Sequence, residues 1–313
     1  VYNELGRRDN IYKARIKILV NELGKEKIKS MIENKFQNFA NKKMELSESK
    51  IKKIYNFFKL PINQSKKSAI PKVDNTEFKQ WVSQNVINHK IEGFSVVMVS
   101  LKPPGKPPGD MNTDQMNELS QLSYDYSFGE IRVTHEQNML LPHVENTKIF
   151  DLWLKLKKIG LSTPNIGLVS DIICCPGMDY CALATARSIP ISQKISESFN
   201  NYNQQKNIGN LKIKISGCIN ACGHHHVGNI GILGLDKNGE ESYQITLGGS
   251  ATEDASIGEI VGPSFPESEL MDALNTILKT YKKNRTSEDE DFLKVFNRIG
   301  ISEFKKDLYD NPK

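Results

Sequence analysis

All five cysteines of this 313-residue chain fall between positions 174 and 222, three in CCPGMDYC and two in SGCINACG. Cysteine chosen merely as a small apolar core residue would be scattered, so the chain has to fold in a way that gives two short segments one shared task. The usable spacings are Cys175-x5-Cys181 and Cys218-x3-Cys222, with 36 residues between the pairs. Four thiolates from two turns form a metal or cluster arrangement. Structural zinc sites usually space each cysteine pair by two to four residues, and the x5 loop is wider. An odd cysteine count argues against a disulfide framework, and the C-x2-C-x2-C run of small ferredoxins is absent. A four-cysteine [4Fe–4S] site built from two distant loops is the favoured reading, with structural zinc and inert thiols as the alternatives. Neighbouring side chains diverge on extended backbone, so Cys174 and Cys175 do not both serve one compact cluster. Cys175 is taken as the ligand and Cys174 as buried packing, the choice turning on whether the loop is x5 or x6.

A chain of this length holds about two domains. With 38% hydrophobic and 25% charged residues it is globular and not disordered, and no apolar run is long enough to cross a bilayer. It opens on Val1 without a signal-type apolar core, which suggests the middle of a larger protein in the cytoplasm. The net charge of +5 hides an asymmetry. Residues 1–72 carry 18 Lys/Arg against 7 Asp/Glu, and the rest of the chain is net acidic. The lysines are scattered without interleaved aromatics, so solvated helix surface is preferred to a nucleic-acid face.

Hydrophobic periodicity predicts two amphipathic helices over 24–60, with Ile28, Met31 and Ile32 on one stripe and Ile51, Ile54, Tyr55 and Phe58 on the other. A linker is expected over 61–71. A strand over 94–101, the proline loop KPPGKPPGD, a helix from Thr113, a strand over 130–133 and a helix carrying Ile149, Leu152, Trp153 and Leu156 suggest a β-α-β-α half-domain over 71–160. From Thr163 short strands and glycine turns dominate, with strict alternation at Leu211, Ile213 and Ile215. A helix is expected from Pro266 with Leu270, Ala273, Leu274, Ile277, Leu278 and Tyr281 on one stripe. Strands and helices mix without regular βαβ alternation, so the fold class is α+β.

The segments GRRDNIYKAR, GEIRVTHEQN, IICCPGMDYCALATARSIP, KIKISGCINACGHHHVGNIGILG and YQITLGG together resemble the siroheme and [4Fe–4S] sulfite and nitrite reductases, most nearly the C-terminal part of the bacterial sulfite-reducing members. That resemblance implies a ferredoxin-like half-domain over 71–160 and a mixed α+β siroheme/[4Fe–4S] domain over 161–313. Residues 1–70 would be the tail of an earlier domain of the same kind. The family's C-x5-C and C-x3-C cluster ligands map onto Cys175, Cys181, Cys218 and Cys222, the last bridging to the siroheme iron. Siroheme carries eight carboxylates and needs cationic and amide partners. Lys13 and Arg15 match a basic element that the family places near the tetrapyrrole, Arg132, Thr134, Gln137 and Asn138 match its R-x-T-x-x-Q-N run, and Asn220 lies between the last two ligands.

The activity so implied is six-electron reduction of sulfite to sulfide, with nitrite reduction to ammonia as the alternative and an iron–sulfur electron-transfer module without siroheme as the second. The family's substrate-anion cations come mostly from the half that this chain lacks, so no catalytic residue is carried over. No nicotinamide or flavin motif is visible, which makes a ferredoxin or a flavoprotein subunit the expected electron donor. His224, His225 and His226 are read as hydrogen-bond donors to cluster sulfur or siroheme carboxylate, with filling the polar wall of the fold as the alternative.

Overall fold

The computed structural model describes residues 1–40, 45–59, 62 and 68–310. The chain divides into two units, residues 1–63 and 64–313.

The first unit holds helices α1 (Tyr2–Leu5), α2 (Ile16–Leu23), α3 (Lys25–Ala40) and α4 (Glu48–Phe57). Gly24 ends α2 at φ +78°, a left-handed conformation that suits glycine, and α3 starts at once. Ser47 begins α4 by accepting a hydrogen bond from the Lys50 N–H. The two amphipathic helices expected here are α3 and α4. Leu19 is the one buried apolar side chain among the unit's described residues, and Ile32, Phe36, Ile54 and Tyr55 stand exposed. Most of the linker expected over 61–71 lies outside the described residues.

The second unit has two cores. The first belongs to α5 (Thr76–Asn85), β1 (Val86–Asn88), β2 (Phe94–Val99), α6 (Thr113–Tyr126), β3 (Arg132–Val133), β4 (Met139–Glu145) and α7 (Ile149–Lys158). The strands form an antiparallel sheet in the order β1-β2-β4-β3, and Trp81, Leu119, Leu152, Trp153 and Leu156 pack with Val97, Val99, Leu141 and Val144. The β-α-β-α pattern read from sequence is corrected in two respects: α5 and β1 come before its first strand, and a further strand follows β3. That further strand is β4, whose MLLPHVE segment lacks the alternation that betrays a strand and contains a proline.

The second core follows in β5 (Ile173–Cys174), α8 (Ile189–Ser198), α9 (Tyr202–Ile208), β6 (Ile213–Ser216), β7 (Ile230–Lys237), β8 (Glu240–Leu247), β9 (Glu259–Ile260), β10 (Phe265–Pro266), α10 (Glu267–Lys283), α11 (Phe292–Ile299) and α12 (Ile301–Lys305). Its sheet runs β10-β8-β7-β6-β5, with β5, β6 and β7 parallel and the remainder antiparallel. Ile213, Ile215, Ile230, Ile232 and Ile245 meet Ile195, Leu274, Ile277, Tyr281 and Phe296 in this core. The α10 stripe is the predicted one, although Pro266 caps the helix and does not occupy its first turn. Together the two sheets with their helices make an α+β fold.

A buried ionic cluster ties the two cores of this unit together. Lys102, just past β2, donates to the Asp171 carboxylate at 2.7 Å and to the Glu136 carbonyl at 2.5 Å. Lys212 reaches Glu136 at 2.8 Å and Asp171 at 3.4 Å. The side chains of Lys102 and Asp171 are 1% and 0% exposed.

Candidate functional site

Both cysteine segments leave the C-terminal ends of neighbouring parallel strands. The pairing of Cys174 with Ile215 puts the end of β5 beside the end of β6. Pro176 stops β5, and a 3₁₀ turn over Gly177–Asp179 follows, with Gly177 at φ +60°. The Cys181 N–H donates to the Gly177 carbonyl at 2.9 Å, and the Cys181 carbonyl accepts from Ala184 at 3.1 Å. On the other side, β6 runs into Gly217 and Cys218, and the Cys218 carbonyl accepts from Ala221 at 3.2 Å. Ala221 and His224 take left-handed conformations, at φ +58° and +56°.

The two loops are fastened to each other through main chain. The N–H groups of Thr185 and Ala186 both donate to the Gly217 carbonyl, at 2.9 and 3.0 Å. A Cβ at Gly217 would lie 2.6 Å from the Ala186 carbonyl oxygen and 3.0 Å from the Gly177 Cα, so glycine is required for this approach. The Cys175 Sγ accepts from the Gly217 N–H at 3.1 Å and lies 3.3 Å from the Ser188 hydroxyl. Donors aimed at sulfur stabilise a thiolate and tune a metal bound to it.

Cys174 points elsewhere. Its thiol lies 3.1 Å from the Cys175 carbonyl, and burial, with Cys175 alongside, pushes its pKa up to about 12. A thiol so held stays protonated. All five cysteines are free: Cys175 and Cys218 are buried, Cys181 is half-buried and Cys222 is exposed. Among the described residues no three His, Cys, Asp or Glu side chains converge tightly enough to share a single metal ion. A four-iron cluster takes one thiolate at each iron, a wider arrangement, and the free thiols on two pinned loops with N–H and O–H donors at Cys175 suit it.

The other residues singled out in the sequence are dispersed. Gln137, at φ +57°, turns its amide onto the Cys174 main chain, donating to the carbonyl at 2.7 Å and accepting from the N–H at 3.0 Å. Asn138 is fully buried; it accepts from the Leu101 N–H and donates to Asp171, both at 3.0 Å. The Thr134 hydroxyl accepts from the Asn138 N–H, and Arg132 is paired with Glu130 on the surface. Asn220 is exposed in the second cysteine loop. Lys13 and Arg15 are exposed in the first unit, where Arg15 donates to the carbonyls of Ile11 and Ala14. Of the three adjacent histidines, His225 is buried with its Nδ1 unpartnered among the described residues, and His224 and His226 are exposed. Burial, with His226 beside it, lowers the His225 pKa to about 4. The His225 and His226 rings lie against each other on their 3₁₀ turn, centroids 3.9 Å apart.

A cleft of about 860 Å³ opens beside Cys175, lined by Asp110, Gln137, Cys174, Tyr180 and Gln193 among others. Asp110 and Asp179 are its charged residues, and among the described residues no Arg or Lys lines it. The cleft taken alone therefore does not match the eight carboxylates of siroheme. The role of Gln137 as a clamp was not foreseen from sequence, because only the finished turn shows which way its amide faces.

Residues 167–312 match the nitrite and sulphite reductase 4Fe-4S domain, and residues 89–159 match the nitrite/sulfite reductase ferredoxin-like half domain. The chain is 28% identical over 286 residues to the chloroplastic ferredoxin–nitrite reductase of Betula pendula, covering 88% of this chain and 43% of that protein. It is 27% identical over 177 residues to the sulfite reductase [NADPH] hemoprotein beta-component of Bacillus licheniformis, covering 55% and 30%. The Mycobacterium tuberculosis NirA protein shares the fold, with a TM-score of 0.64 at 20% identity over 96% of this chain and 50% of that one. The chain thus spans less than half the length of these curated relatives.

Proposed function

Because the chain belongs to the nitrite and sulphite reductase family, we propose that it is the cluster-bearing part of a siroheme- and [4Fe–4S]-dependent reductase that takes sulfite to sulfide. The observation that carries this reading is the pinning of both cysteine loops at the ends of β5 and β6, with the Gly217 N–H on the Cys175 sulfur. In this proposal Cys175, Cys181, Cys218 and Cys222 hold the cluster, and Cys222 is also the link to siroheme. When bound, the two cofactors would pass the donor's electrons to the substrate, six for each sulfite or nitrite reduced.

The chain's own residues do the rest. Gly217 and Ser188 stabilise the Cys175 thiolate, Gln137 fixes the strand that delivers it, and Cys174 stays a buried neutral thiol. Siroheme needs more cations than the cleft beside Cys175 offers. Lys13 and Arg15 are the proposed contribution from this chain, and the remainder of the longer protein would supply the others together with the substrate-anion site. Tyr180, Leu183 and Ile219 stand 82%, 71% and 80% exposed on the two cysteine loops, which supports a face covered by that remainder.

The CPGMDYCALATARSIP wording of the first loop favours sulfite. Nitrite is the second reading, favoured because ferredoxin–nitrite reductases match along most of the chain. A ferredoxin or a flavoprotein is the proposed electron donor. A cytoplasmic location is proposed as well, and no helix among the described residues is long and apolar enough to cross a membrane. The deciding experiment supplies sulfite and nitrite separately to the longer protein, with a reduced artificial donor, and measures sulfide and ammonia. Sulfide formed at the higher kcat/KM supports the first reading, and ammonia formed at the higher kcat/KM replaces it with the second. Neither product from a protein that contains cluster and siroheme would refute both.

A further inference from the structure

A second cavity, of about 560 Å³, lies in the same unit on the face of β6 turned away from its core, and none of the cysteines lines it. The alternation of β6 sends Ile213 and Ile215 into the core and leaves Lys212 and Lys214 on the opposite face. Lys214 is 5% exposed and lines this cavity, and its side chain has no hydrogen bond or ion pair among the described residues. Its stem is packed while the ammonium keeps contact with solvent in the cavity, where it stands without a protein partner.

Every nearby carboxylate is already engaged. Glu136 pairs with Lys212 at 2.8 Å, and Asp171 is shared by Lys102 and Lys212. Asp291, also on the wall, caps α11 by accepting from the Lys294 N–H at 2.9 Å and pairs with the Lys294 ammonium at 3.3 Å. Lys102, Lys212 and Lys214 thus face two carboxylates, Glu136 and Asp171, and the unmatched charge sits on Lys214. Burial lowers the Lys214 pKa, with Glu136 opposing the shift and Lys212 and Lys102 adding to it. Asn210, His135 and Thr252 add polar groups to the wall.

We propose that this cavity is an anion-binding site in which Lys214 takes an oxyanion or the carboxylate of a small organic acid. The volume exceeds what a bare oxyanion needs and is of the size of small-molecule sites. Charge-assisted hydrogen bonds from Lys214 would supply the affinity and wall groups such as Asn210 and Thr252 the orientation.

The test titrates the 313-residue chain by calorimetry with inorganic sulfate, inorganic phosphate and citrate, each at constant ionic strength set with chloride. Saturable binding is expected from at least one probe; sulfate or phosphate would indicate an oxyanion site and citrate a carboxylate site. Lys214→Met should weaken that binding at least tenfold, and Lys214→Arg should keep most of it. Without added anion, Lys214→Met should melt no lower than the parent chain, since it removes an unpartnered charge. The proposal is overturned if no probe binds saturably, if Lys214→Met binds as the parent does, or if the anion-free variant melts lower, which would reveal a structural partner for the ammonium.

Discussion

The Gln137 amide stands in for a missing strand, and its removal has a calculable cost. In the five-strand order β5 lies at the edge, with β6 on one side only. On that side the Cys175 N–H donates to the Ile215 carbonyl at 3.1 Å. On the outer side the Cys174 N–H and carbonyl, in a residue 3% exposed, are met by the side chain of Gln137 at 3.0 and 2.7 Å. Gln137→Ala removes both partners. Each lost hydrogen bond costs about 1 kcal/mol net, and a buried group left unpaired costs about 1–3 kcal/mol. The cleft touching Gln137 and Cys174 admits water to the exposed groups, so the lower end applies, about 2 kcal/mol in all. That corresponds to roughly a 30-fold shift in the folding equilibrium. Urea denaturation of the cofactor-free chain measures it, and iron and sulfide per chain after reconstitution report whether the adjacent Cys175 is still presented. Gln137→Glu keeps the acceptor but sets a carboxylate oxygen against the Cys174 carbonyl, and should cost at least as much as the alanine change. A change below about 0.5 kcal/mol with full iron retention would refute the strand-substitute reasoning.

Lys102→Met should destabilise the second unit by about 3 kcal/mol, because it leaves the buried Asp171 carboxylate with the more distant Lys212 and the neutral donors Asn138 and Gly167; denaturant midpoints check this, and a loss under 1 kcal/mol would contradict it. Burial would raise the Asp171 pKa, yet Lys102, Lys212 and the Gly167 N–H together hold it below the ordinary carboxylate value. Its contribution is therefore present above the unfolded carboxylate pKa and lost as pH falls through the lower folded one, and Asp171→Asn should flatten that acid limb of the stability curve. Cys222→Ser should cut cluster iron sharply and Cys174→Ser should leave it nearly intact, so equal iron loss in both would sink the ligand assignment. In the longer protein, Lys13→Ala with Arg15→Ala should lower siroheme absorbance while sparing cluster iron; unchanged absorbance would return that pair to the solvated surface.

The strongly periodic parts of the fold were legible in sequence: the α7 stripe of Leu152, Trp153 and Leu156, the α10 stripe, and the alternation that makes β6. Weaker patterns were not. β4, which mixes Leu140, Leu141 and Val144 with Pro142, His143 and Glu145, resembles neither period, and α8 and α9, with few apolar positions in short polar segments, gave little amphipathic signal. The two cysteine segments stood out by their spacing, and the structure brings them to the ends of neighbouring strands. Which neighbours serve them was hidden, since the turn after β3 directs Gln137 toward Cys174 and Asn138 inward to Asp171, and adjacent amides in a sequence look alike. The unpartnered Lys214 could not be seen either, because LKIKIS reads equally well as a strand with one solvated face.

The main-chain contacts between the cysteine loops change how a multidentate ligand set is assembled. Bringing together ends separated by 36 residues costs roughly 3 kcal/mol in chain entropy, beyond a constant common to all loops. In a small zinc module the metal itself meets that cost, and the polypeptide stays unfolded without it. Here the sheet and the approach of Gly217 to Gly177 and Ala186 close that ring through main chain. With the ends held by the sheet, the ligation proposed for these thiols would not have to meet the entropy of gathering the chain.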